Sequence, residues 1–146
     1  MFIFVAMKER KQTLGFLLAR ASYAMAASLN SLVKNEGIDL PHSQYIVLKV
    51  LYEKDGLSQQ ELATKVYKDV AAIKRTLDIL ENKGLVKRIP VTMRKNSILI
   101  TDEGKKLIPQ VLDCIKKWED SILSDIDDQE YETFENVLNT IYNNTQ

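Results

Sequence analysis

Between Ser58 and Lys83 the sequence sets two short amphipathic helices three residues apart, an arrangement that few folds accommodate. In GLSQQELATKV, Ser58 and Glu61 stand at the capping-box offset. The serine hydroxyl accepts from the amide of the third helical residue and the glutamate accepts from the serine's own amide, so a helix starts at Ser58. Leu62 and Val66 are its inward residues, and Val66-Tyr67-Lys68 connects it to the next helix. From Asp69 to Lys83, Val70, Ile73, Leu77 and Leu80 share one face. The opposite face collects Lys68, Ala71, Ala72, Arg75, Ile79 and Asn82, with Lys74 on its shoulder, and Gly84 stands where a helix terminates. A second helix with a small, basic outer face behind a tight turn is a helix-turn-helix pattern.

VKRIPV from Val86 and SILIT from Ser97 then read as the strands of a hairpin with a basic tip, Thr92 to Asn96. Pro90 lacks the amide that a central strand needs, so an exposed ribbon is expected. A helix-turn-helix followed at once by a basic-tipped hairpin is a winged helix, and it occupies 43–101.

Helical periodicity continues on both sides. From Lys11 to Glu36, Leu14, Leu18, Ala21, Met25, Leu29 and Leu32 form a stripe, Phe16, Leu17, Ala24 and Ala27 add apolar surface beside it, and Gly37 closes the helix. Gln44 to Tyr52, with Tyr45, Val47, Leu48 and Leu51, is another helix behind a polar turn. Thr101 caps a long helix with Asp102 and Glu103 in its first turn, where the helix dipole favours them. Its stripe is Leu107, Val111, Ile115, Trp118, Ile122 and Ile126. Asp127 and Glu130 repeat the capping-box offset ahead of a last helix whose inner face is Phe134, Leu138 and Ile141. The end segments carry more apolar stripe than a lone winged helix covers, so 11–36 and 102–146 are expected to pair as dimerisation helices. The expected fold is mainly α with a small β-hairpin wing: a winged helix-turn-helix flanked by N- and C-terminal dimerisation helices. It forms one domain, 11–146, behind a disordered or extended start at 1–10, and Met7 is an alternative start.

Composition removes most other functions. With 45% apolar and 27% charged residues, five Gly and three Pro, a chain of 146 residues suits one helical globular domain. A single cysteine, Cys114, excludes an intramolecular disulfide and a cysteine-based zinc site, and it fits a reducing cytoplasm. With one histidine, His42, and no glycine-rich phosphate loop, an enzyme is not expected, and neither is a metal or a cofactor. The longest apolar run, Phe2 to Met7, is far short of the roughly 20 residues that span a bilayer, so no membrane partner is expected.

Twenty basic and twenty acidic residues cancel overall, yet their placement is unequal. Leu62 to Asn96 holds nine basic residues against three acidic, while Asp113 to Gln146 holds nine acidic against two basic. One basic segment and one acidic end allow the first to meet a polyanion while the second stays clear.

Taken together, GLSQQELA, DVAAIKRTLDILENKGLVKR and TMRKNSILITDEG, between Gly56 and Gly104, resemble the core of the MarR family of bacterial transcriptional regulators. The flanking helices resemble that family's dimerisation arms, so the resemblance spans about residues 12–143. The Leu80 to Arg88 segment, Arg94 and the Thr101/Gly104 pair sit at its spacings. The resemblance implies a winged-helix homodimer on palindromic operator DNA, usually a repressor. It also implies release by a small phenolic or lipophilic ligand, or by an oxidant, at the hinge between arms and winged helix. By position it makes Arg75 the basic residue of the recognition helix and Arg94 the wing arginine of the minor groove. This chain departs from the pattern at Thr92, where many members carry an aspartate that braces the wing arginine. Ala71 and Ala72 replace common hydroxyl residues, and Ile79 a frequent arginine. Fewer polar donors face the bases, so a weaker or differently read sequence preference is expected, with the alanines suited to a thymine methyl.

The expected DNA-binding set is Lys68, Ala71, Ala72, Lys74, Arg75, Arg94 and Lys95. The fork of Arg75 fits guanine O6 and N7, while the lysines suit phosphate. Lys83, Lys87 and Arg88 are divided evenly between phosphate contact and plain surface charge. Cys114, one position past the stripe, reads as a buried inert thiol and His42 as a turn residue. Tyr23, Met25, Tyr45 and Trp118 read as core that is also able to line an effector pocket. The competing reading is a winged helix that docks an acidic protein and has no DNA target.

Overall fold

The computed structural model describes residues 10–146, so the expected disordered or extended start lies, apart from Arg10, outside the described residues. The elements are α1 (Leu14–Asn35), α2 (His42–Glu53), α3 (Gln59–Lys65), α4 (Val70–Asn82), β1 (Val86–Thr92), β2 (Lys95–Ile100), α5 (Asp102–Ile122) and α6 (Asp128–Asn144). Both capping boxes form. Glu61 N donates to Ser58 Oγ at 3.1 Å and Ser58 N to Glu61 Oε2 at 2.7 Å. At α6, Glu130 N donates to Asp127 Oδ1 at 2.8 Å and Asp127 N to Glu130 Oε2 at 3.1 Å. Thr101 Oγ1 accepts from Gly104 N at 3.1 Å and donates to Gly84 O at 2.7 Å, so one hydroxyl starts α5 and ties it to the turn that ends α4.

The structure moves several boundaries. Periodicity starts the first helix at Lys11, but Thr13 takes its cap by accepting from Phe16 N, and α1 begins at Leu14. His42 is not a turn residue. Pro41, its φ fixed at −57°, leads straight into the helix and makes His42 the first residue of α2. The long helix stops at Ile122 rather than running to Ile126: a turn occupies 123–126, and the extended Asp127 (ψ 166°) then caps α6. The hairpin tip narrows to Met93 and Arg94, since Thr92 pairs with Lys95 and both Lys95 and Asn96 join β2. A register irregularity between Pro90 and Thr92 accommodates this tight turn, in which neither central residue has a positive φ.

The core joins all of these except α6. Leu48, Leu51, Leu62, Ile73, Leu77, Leu80, Ile98 and Ile108 are fully buried. Leu57 bridges β2 at Ile98, so the loop before α3 pins the hairpin base. Two expected faces are corrected. Val70, the first residue of α4, lies ahead of the core and is exposed. On α5 the buried row is Gly104, Ile108, Val111, Cys114 and Trp118, rotated from the expected stripe because the close seat at Gly104 sets which side faces in. Leu107 and Ile115 are half-buried, Ile122 and Ile126 are exposed, and Cys114 lies on the row rather than beside it. Trp118 Nε1 donates to Ser28 Oγ at 3.0 Å and so joins α5 to α1.

Outside the core, α1 buries only Leu29 and Val33 and leaves Leu14, Phe16, Leu17, Tyr23 and Met25 exposed. Helix α6 buries nothing. Phe134, expected inward, is exposed, and Leu138 and Ile141 are half-buried.

Candidate nucleic-acid interface

Two contacts place α4. Asp69 Oδ1 accepts from Ala72 N at 2.7 Å, fixing the helix start, and Ile73, Leu77 and Leu80 anchor the inner face. What remains outside is Ala71, Lys74, Arg75 and Ile79, all exposed, with Lys68 exposed in the turn just before. Ala72 is half-buried, on the edge of the outer face. On the hairpin, Arg94 and Lys95 are exposed and Met93 is entirely so. Thr92, which lacks the carboxylate that would brace Arg94, instead accepts from Arg94 N through its hydroxyl at 3.3 Å, tightening the turn itself. All seven residues of the expected set therefore lie on α4, in the turn before it, at the hairpin tip or, for Lys95, at the start of β2, with Ala72 the least open.

Two of the three evenly divided cations are taken up within the chain. Lys83 Nζ bonds Gln44 Oε1 at 2.7 Å, Asp39 O at 2.9 Å and Asp39 Oδ1 at 3.1 Å, holding the end of α4 to the start of α2. Arg88 reaches from β1 to α4: Nη2 meets Asp78 Oδ1 at 2.8 Å and Nη1 meets Glu81 Oε1 at 3.1 Å. This bracing role was missed. The available signal was the pair Asp78 and Glu81, three apart on the side of α4 nearest the returning strand. Asp69 is held by the Ala72 amide, and Asp78 and Glu81 by Arg88, rather than by the exposed cations Lys65, Lys68, Lys74, Arg75, Lys87, Arg94 and Lys95, which outnumber these carboxylates and leave the surface positive. We expect Arg88→Ala to lower stability in urea unfolding by about 1–2 kcal/mol, since its side chain is mostly buried and bonds two carboxylates, while Lys87→Ala changes little.

Between the end of α1 and the start of α2 is a cavity of about 520 Å³, lined by Asn30, Val33, Lys34, Ile38, Leu40 and Pro41 among others. None of Tyr23, Met25, Tyr45 or Trp118 lines it. Tyr45 and Trp118 are core, and Tyr23 and Met25 are exposed. Asn30 is already engaged, accepting His42 N at 2.7 Å. The His42 ring is held below its ordinary pKa by burial and, secondarily, by the charge of Lys68. Because the folded state disfavours the imidazolium, stability is full above the unfolded value of about 6.5 and falls as pH drops through it toward the lower folded value. Denaturant midpoints measured from pH 7.5 down to 5 are expected to decline, and His42→Gln is expected to remove part of that decline. Cys114 has its thiol pushed up by burial first and by Glu36 next, which favours the protonated form over the thiolate.

The MarR family profile matches residues 40–92, from the start of α2 through β1. The HTH-type transcriptional regulator TtmR of Methylorubrum extorquens is 33% identical over 102 residues, 68% of this chain and 51% of that protein. The chain thus spans about half the length of that relative. The uncharacterized HTH-type transcriptional regulator YybA of Bacillus subtilis is 26% identical over 126 residues, 84% of each chain. Among solved structures, the S. aureus MepR–DNA complex shares the fold with a TM-score of 0.83 at 23% identity, covering 93% of this chain and 100% of that one. CouR from Rhodococcus jostii, bound to p-coumaroyl-CoA, gives a TM-score of 0.74 at 27% identity over 89% and 91% of the two chains. The profile match falls on the stretch that carries most of the outward cations, the likeness of fold extends over nearly the whole chain, and the chain belongs to the MarR family.

Proposed function

We propose that the chain is a sequence-specific DNA-binding transcriptional regulator, a repressor acting as a homodimer on a palindromic operator. The observation that carries this reading is the cation set: Lys68, Lys74, Arg75, Arg94 and Lys95 face solvent while the carboxylates of the same stretch are engaged within the chain. Helix α4 enters the major groove with the fork of Arg75 on guanine and Ala71 and Ala72 against thymine methyls. Lys68, Lys74 and Lys95 hold phosphates, and Arg94 follows the hairpin into the minor groove.

The uncovered apolar faces of α1 and α6 support pairing of two chains. A twofold then sets the two copies of α4 in successive major grooves, about 34 Å apart. The cavity at the α1–α2 junction, together with a relative solved with p-coumaroyl-CoA, supports a small aromatic or lipophilic effector. It would act by preferring one arm-to-lobe angle over another. A lone thiol fits a cytoplasmic setting, and no described helix is long and apolar enough to cross a membrane.

The test is titration of the chain's own upstream region against a shuffled fragment, with sedimentation run in parallel. A dimer that prefers the upstream fragment is expected. A monomer without preference, found in a stable complex with an acidic protein, would make the winged helix a protein-docking module instead.

A further inference from the structure

Tyr67 closes α3 in the position where helices most often place glycine, with a φ of 55°. The backbone there is a Schellman turn: Lys68 N donates to Ala63 O at 3.0 Å and Tyr67 N to Thr64 O at 3.4 Å. The other left-handed positions among the described residues belong to Gly37, Gly56 and Gly84 (φ 77°, 74° and 73°). An aromatic residue in that region is strained, and strain of this kind persists only where something else requires the side chain. The core does not require it, since Tyr67 is 78% exposed.

What the ring meets is Tyr142, near the end of α6, edge to face with centroids 6.3 Å apart and planes at 77°. The nearby Tyr67 hydroxyl holds the Tyr142 phenol above its ordinary value. Because α6 has no buried residue of its own, this pair joins the far end of the C-terminal arm to the turn that launches α4. Only Lys68 and the cap Asp69 separate Tyr67 from α4, so the turn that Tyr67 closes sets where that helix begins, while Ile73, Leu77 and Leu80 hold its inner face.

We propose that Tyr67 and Tyr142 form a latch that fixes the recognition helix relative to the C-terminal arm, making both tyrosines positioning residues for DNA recognition. The positioning role rests on the DNA-binding reading; the latch itself does not. With the latch open, fewer molecules hold α4 at the angle that fits the groove, and affinity falls by that fraction.

The experiment uses the full chain carrying Cys114→Ser, with spin labels on Asn82→Cys in α4 and Glu132→Cys in α6, diluted with unlabelled chain so that only intrachain distances are read. One narrow distance is expected for the parent, and a broadened distribution for Tyr142→Ala and for Tyr67→Gly. Unlabelled versions of both variants are expected to bind the upstream fragment roughly three- to tenfold more weakly. The double variant should be no worse than either single one, and Tyr142→Phe, which keeps the ring contact, should bind nearly as the parent does. Tyr67→Gly relieves the backbone and is expected to melt no lower than the parent, separating positioning from stability. An unchanged distance in Tyr142→Ala would overturn the latch. Broadened distances with unchanged affinity would overturn the positioning role. A parent that binds no DNA would overturn the regulator reading and the positioning role together, while the distance measurement still decides the latch.

Discussion

Replacing Gly104 by alanine is expected to lower the unfolding free energy by about 2–3 kcal/mol, a large share of the roughly 5–15 kcal/mol that holds a domain together. The added methyl would stand 2.5 Å from Leu85 O, 2.8 Å from Ile100 Cγ1 and 3.3 Å from Leu48 Cδ1. The nearest of these is backbone, and it cannot retreat freely, because Leu85 O accepts Thr101 N at 3.0 Å. That bond fastens the hairpin base to the start of α5, so relief of the clash moves the wing, the arm or both. Helix propensity alone gives the opposite sign, since alanine is the better helix former by about 1 kcal/mol. The direction of the change therefore separates close packing from intrinsic preference. Thermal melts should show a drop of roughly 5–10 °C. Gly15→Ala serves as control, because its β-carbon would meet nothing within 4 Å and no loss is expected. A Gly104→Ala chain that melts at or above the parent would mean that α5 is not seated as described.

The second large effect is on binding. Arg75→Ala is expected to weaken the upstream-fragment complex by about 10- to 100-fold, the worth of one bidentate base contact. Arg94→Ala should weaken specific and unrelated fragments more evenly. Each substitution should also reduce the slope of log affinity against log salt by about one. Arg75→Lys keeps the charge but loses the fork, so it should restore the slope without restoring base preference. Lys83→Ala sets the contrast. Its ammonium is bonded to Gln44 and Asp39, so its loss should appear in stability and leave the salt slope unchanged. Anisotropy titrations between about 50 and 200 mM salt read all of these. Indifference of both arginine variants would place the binding face elsewhere.

Most of the lobe was legible because its signals are local. Capping boxes, glycines beyond helix ends and three-to-four spacing act within a turn or two of chain, and Ser58, Asp127 and Gly84 behave as their neighbours dictate. The errors arise where distant contacts decide. The buried row of α5 is rotated because Gly104 must meet Leu85 and Ile100, which adjacent sequence does not announce. His42 joins α2 because Pro41 leads into the helix and Asn30 accepts the His42 amide, and Phe134 is exposed because helical spacing groups residues on one face without fixing what covers that face. At the site, the outward cations of α4 followed from helix geometry. The inward turn of Lys83 and Arg88 depends on acceptors supplied by α2, the loop before it and the side of α4 that faces β1.

Hydroxyl-radical footprinting of the bound upstream fragment examines most directly whether α4 and the hairpin read DNA from a paired molecule. Two protected segments related by a twofold are expected, their centres about one helical turn apart, each flanked by minor-groove protection that disappears with Arg94→Ala. A single unpaired segment, or flanking protection that survives the loss of Arg94, would contradict it.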